Sequence, residues 1–91
     1  MASKHAIIAA IERKIAGTSL STWRIGLTND LLSQKTHFLE AEQRHVIYWS
    51  SWPAASLAEA QAVETHFIDK GVKASAYGRI SALRPVYVYL F

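Results

Sequence analysis

A chain of 91 residues, 51% of them apolar, can fill one core and no more, so residues 1–91 read as a single domain without a regulatory partner domain. Cysteine is absent, which excludes disulfides and thiolate metal sites and makes a cytoplasmic location the expectation. Ten basic against seven acidic residues give a net charge of +3. That excess suits an anionic partner only if the fold gathers the charges, since no like-charge run exceeds two residues.

The apolar stretch from Ala6 to Ile11 is broken by Glu12, Arg13 and Lys14, too soon for a signal segment or a membrane span. It reads instead as an amphipathic helix from Ser3 to Ala16, stopped by Gly17, with Ile7, Ile8, Ile11 and Ile15 on one side. This stripe must be buried, either on the chain's own sheet or against a second copy. A homodimer through the N-terminal helix is therefore one expectation.

Trp23, Ile25 and Leu27 alternate with Thr22, Arg24 and Gly26, the period of a half-buried strand over residues 22–28. Asn29 and Asp30 follow with helix N-cap chemistry. Gly26 inside the strand marks a place where another group approaches the backbone closely. A short helix is expected over 30–38, carrying Leu31, Leu32 and Lys35, and a strand over 45–51, closed by Trp52 and Pro53. Ser56 and Glu59 form a capping box, so a helix spans 57–70 with Gly71 beyond its end and Leu57, Ala60, Phe67 and Ile68 facing the core. Residues 72–85 show no period and read mostly as loop. Val86 to Phe91 is a strand, too apolar to be left unpaired.

The expected fold is thus α+β, a small antiparallel sheet of about three strands (22–28, 45–51, 86–91) covered by three helices. The words Arg24-Ile25-Gly26-Leu27-Thr28-Asn29-Asp30-Leu31 resemble the second half-motif of the GIY-YIG nuclease superfamily, where tyrosine-isoleucine-glycine leads into the first helix. The family's first strand, often tyrosine-valine-tyrosine, has no counterpart upstream, but Tyr87-Val88-Tyr89 is similar to it. The resemblance therefore implies a circular permutation in which the C-terminal strand lies beside Trp23 to Leu27. Residues 71–85 span roughly 50 Å if extended, at about 3.3 Å per residue, so the return is easy. Glu64, within Val63-Glu64-Thr65-His66-Phe67-Ile68, matches the family's metal-holding glutamate.

The catalytic motifs depart from the family. Its second motif tyrosine falls on Arg24, and its helix arginine falls on Gln34, with Lys35 the nearest cation. Losses of this kind commonly cost on the order of 10²-fold each. The resemblance then implies a degenerate, non-catalytic domain that binds DNA, RNA or another anionic partner through Arg24, Lys35, Tyr87 and Tyr89. Two alternatives stand beside it. One is a weak endonuclease in which Glu64 holds Mg²⁺ and Tyr89 helps activate water; the other is a protein-interaction or homodimerisation module. Glu64 also admits a purely structural reading, as a carboxylate at the edge of a helix stripe with a nearby basic or tyrosine partner. The histidines His5, His37, His45 and His66 lack the close spacing of a zinc site.

Overall fold

The structure, a computed structural model, describes residues 3–33, 36, 49–75 and 80–91. In chain order it contains helix α1 (Lys4–Ile15), a 3₁₀ turn (Leu20–Thr22), β1 (Arg24–Thr28), β2 (Ser50–Pro53), α2 (Leu57–Lys70), β3 (Lys73–Ala74) and β4 (Tyr87–Leu90). Residues 31–33 and 36 are also helical; the rest of the helix expected over 30–38, with Gln34, Lys35 and His37, lies outside the described residues, as do residues 41–48 with His45.

Both long helices are bounded as their sequences dictate. The Ser3 hydroxyl accepts from the Ala6 amide, and Arg13 and Lys14 occupy the last turn of α1, where positive charge meets the negative end of the helix dipole. The Ser56 hydroxyl accepts from the Glu59 amide at the start of α2. At its far end Gly71 takes φ +118°, and the Gly71 and Val72 amides donate back to the Ile68 and Phe67 carbonyls.

The sheet has four strands in the order β2-β4-β1-β3 and is mixed, where three antiparallel strands were expected. The C-terminal strand does pair antiparallel with the strand after Trp23, with Ile25 opposite Leu90, Gly26 opposite Tyr89, Leu27 opposite Val88 and Thr28 opposite Tyr87. The additional strand is β3, parallel to β1, from a segment read as loop. Two residues cannot display a period, but their ladder is real: Lys73 N–H donates to the Trp23 carbonyl at 3.1 Å and Ser75 N–H to the Ile25 carbonyl at 2.8 Å. Of the strand expected over 45–51, residues 45–48 lie outside the described residues, and the observed strand is Ser50–Pro53, at the sheet's margin among the described residues. Pro53 is its last residue, the closing position its sequence implies, and it still pairs with Tyr87, as a marginal strand permits because one side of its backbone needs no donor.

Alternation along the strands gives the sheet two unlike faces. The inner face carries Ile25, Leu27, Val88 and Leu90, all buried against Ile7, Ile11 and Ile15 of α1 and Ala60, Val63 and Phe67 of α2. The isoleucine stripe is consumed inside its own chain, so α1 has none of its buried isoleucines left for a second copy. On α2 the buried face is turned from the expected one: Val63 is fully buried, while Ile68 is 37% exposed. The reason is that α2 must meet α1 on one flank and β1 on the other, and the flank holding Ile68 meets neither. Among the described residues no helix is long and apolar enough to cross a membrane.

An exposed ion cluster also spans the two helices, Glu12 accepting from Lys70 Nζ at 3.3 Å and lying 3.4 Å from His66 Nε2. The hydrogen bond from Lys70, then that from His66, holds the Glu12 carboxyl below the usual carboxylate range. A lowered carboxylate pKa stabilises the fold above the ordinary range and loses that contribution as pH falls through the lowered value. Lying at the surface, the cluster is screened by water and salt, whereas a fully buried isoleucine is not. Ile11→Ala should lower unfolding stability by about 2–5 kcal/mol, while Glu12→Gln should leave the urea midpoint at neutral pH nearly unchanged and flatten only its acid limb. Urea unfolding across pH checks both.

Candidate functional site

The outer face of the sheet carries the residues that the sequence singled out. Arg24, Gly26 and Thr28 of β1 share it with Tyr87, Tyr89 and the adjoining Phe91, because paired residues on neighbouring strands point the same way. Arg24 is locked to Phe91 by two main-chain hydrogen bonds, of 2.7 and 3.0 Å. The structure therefore brings Arg24, Tyr87 and Tyr89 onto one face.

Tyr89 does not lie open on it. Its side chain is fully buried, and its hydroxyl donates to the Ser75 carbonyl at 2.7 Å, with Ser75 Oγ at 3.3 Å. To get there from β4 the ring crosses the whole of β1 above Gly26. A methyl group at Gly26 would stand 2.4 Å from the tyrosine oxygen, 2.5 Å from Cζ and 2.2 Å from the Ser75 carbonyl oxygen. The groups that approach the Gly26 backbone are thus the chain's own Tyr89 ring and the Ser75 carbonyl it bonds to. Trp49 stacks on Tyr89 with ring centroids 4.9 Å apart and planes 8° from parallel, and lies 5.3 Å from the Phe91 ring. Leu31 completes this second apolar cluster.

Of the expected contact set, Tyr87 and Arg24 are half-buried on the outer face. Tyr89 serves as structure there and offers no exposed ring for base stacking. Lys35 lies outside the described residues. A cation that periodicity did not reveal takes a place beside Arg24: the exposed Lys73 stands opposite it in the β1–β3 register. Two cationic side chains thus stand in register at the β1–β3 edge.

Glu64 sits elsewhere. Its helix packs on the inner face against Ile25, Val88 and Leu90, and Tyr89 belongs to the opposite face. The two residues on which a metal-dependent endonuclease would rest are therefore separated by the sheet. The structural reading of Glu64 also needs revision, for no basic or tyrosine partner reaches it by hydrogen bond or ion pair among the described residues. Burial alone pushes its carboxyl above the ordinary range. A raised carboxylate pKa means that the folded chain holds the proton more tightly than the unfolded one, so Glu64 costs stability progressively as pH rises from the ordinary value through the raised one. Among the described residues no three histidine, aspartate or glutamate side chains are grouped to hold a metal ion.

The Thr28-Asn29-Asp30 turn divides its work. Asp30 acts as the expected cap, its Oδ1 accepting from the Ser33 amide at 3.1 Å, and the Thr28 hydroxyl accepts from the Asp30 amide at 3.0 Å. Asn29 instead ties down a distant loop, donating to the carbonyls of Ser81 at 3.1 Å and Pro85 at 2.8 Å and accepting from the Ser81 amide at 2.7 Å. Sequence reasoning had given Asn29 to the helix cap, and its true partners lie more than fifty positions away. Comparison with protein-family models, curated proteins and solved structures found no match to this chain.

The clamp between Tyr89, Gly26 and Ser75 makes a direct prediction. Gly26→Ala forces either the tyrosine ring or β3 to move and should cost about 1–3 kcal/mol or more, whereas Tyr89→Phe, which removes one buried hydrogen bond, should cost about 1–2 kcal/mol. Urea denaturation of both variants measures the difference.

Proposed function

We propose that this chain is a degenerate GIY-YIG-like domain that binds nucleic acid without cutting it. The outer face near Arg24, Lys73 and Tyr87 forms the contact. The observation that supports this reading is the in-register pairing of β4 with β1, the arrangement a circularly permuted member of that superfamily requires. It sets Tyr87 on the face of Arg24, and β3 adds Lys73 beside them.

Chemistry favours binding over cleavage. Hydrolysis of a phosphodiester needs an activated water and a cationic or metal clamp on the phosphate at one point in space. Here the motif tyrosine is replaced by Arg24, and Glu64 and Tyr89 stand on opposite sides of the sheet. What remains is positive charge beside a half-buried tyrosine, a combination that holds the phosphate backbone and carries little sequence preference.

Fluorescence anisotropy with a short labelled duplex over a range of salt tests this. The wild type should bind with an affinity that falls steeply with salt and should leave the duplex intact when Mg²⁺ is added. Arg24→Ala and Lys73→Ala should each weaken binding and reduce the salt slope by about 1. Binding and slope unchanged in both variants would overturn the assignment.

A further inference from the structure

A cleft of about 290 Å³ opens between the start of α2 and the 81–85 loop. Ala54, Leu57, Ala82, Leu83 and Val86 line it, with Arg84 at its rim. We propose that this cleft binds a small apolar monocarboxylate, the hydrocarbon part in the cleft and the carboxylate on the Arg84 guanidinium.

Three features of the site carry this. The lining is aliphatic apart from Arg84 and Ser56, whose hydroxyl is taken up by the Glu59 amide, and the volume lies at the small end of ligand sites, which run from about 300 to 1,000 Å³; a short aliphatic chain is the matching body. The sole charged side chain of the lining is Arg84, which has no hydrogen bond or ion pair of its own among the described residues. A planar guanidinium with its donors unspent is complementary to a carboxylate, which it can take in a bidentate pair. Finally, the walls are fixed before any ligand arrives. Asn29 grips the loop on both sides of Arg84, through Ser81 and Pro85, and the Ala54 amide donates to the Val86 carbonyl at 2.9 Å, joining the two walls at the floor. Such pre-organisation lowers the ordering cost of binding.

Leu83 agrees with this picture. It is 97% exposed on a loop that is held in place, so its side chain stands in water beside the cleft. An aliphatic ligand seated between Leu57 and Ala82 would cover part of it and return apolar surface from water.

The test is an NMR titration of the full chain, following backbone amides, with sodium hexanoate, hexanol and sodium acetate as separate probes. Hexanoate should shift the Leu57, Leu83, Arg84 and Val86 amides saturably and bind about tenfold more tightly than hexanol, the factor expected of one charge-assisted pair. Acetate, lacking the hydrocarbon body, should bind far more weakly than hexanoate. Arg84→Gln, an exposed change that the fold tolerates, should bring hexanoate down to the level of hexanol. Shifts scattered over the surface, no saturation, equal binding of hexanol, or hexanoate binding unaffected by Arg84→Gln would each overturn the proposal.

Discussion

One tyrosine governs how the sheet is put together. Tyr89 leaves β4, passes over the bare backbone of Gly26 on β1 and delivers its hydroxyl to Ser75, just beyond β3. Three strands are joined in this way by one side chain, and the joint works only if the middle strand has no Cβ at the crossing. The same ring supplies the platform on which Trp49 stacks. A phenol buried with its hydroxyl bonded is stabilising, and one buried without a partner is costly, so the short β3 strand and the tyrosine depend on one another.

This constraint separates the two faces of the molecule by role. The inner face is pure packing, with isoleucine, valine, leucine and phenylalanine between two helices and the sheet. The outer face is aromatic at its centre and cationic at the β1–β3 edge, where Arg24 and Lys73 stand in register. Spending Tyr89 on the clamp removes it from any contact with a ligand. The candidate nucleic-acid contact is therefore moved outward, to Arg24, Lys73 and Tyr87. The aliphatic cleft beyond the Asn29-tied loop is a separate feature, and nothing in its chemistry depends on the outer face.

Local pattern carried much of this into the sequence. The isoleucine spacing of α1, the Ser56 and Glu59 box of α2 and the alternation about Ile25 and Val88 are short-range signals with physical causes, and the elements they announce are present. The pairing of the end strands was reachable because Val86 to Phe91 could not remain unpaired and resembled a missing partner. What escaped depends on contacts distant in sequence. β3 is two residues long and exists because Trp23 and Ile25 offer carbonyls to it. The burial of Val63 in place of Ile68 reflects where α1 lies. The demand for an approach to Gly26 was legible in the glycine itself, but the identity of the approaching group was not, since a glycine reports only that space is needed. Charge gave the weakest guidance: neither Lys73 opposite Arg24 nor the half-buried Glu64 has any signature in its neighbours along the chain.

The central claim is that Tyr89 lies directly over Gly26, and a nuclear Overhauser experiment on the uniformly labelled chain addresses it without altering a residue. Cross-peaks between a Gly26 α-proton and the Tyr89 ring ε-protons, together with slow exchange of the tyrosine hydroxyl proton bonded to Ser75, are the predicted result. A Gly26 α-proton with no contact to that ring, and a hydroxyl in fast exchange with water, would contradict the account.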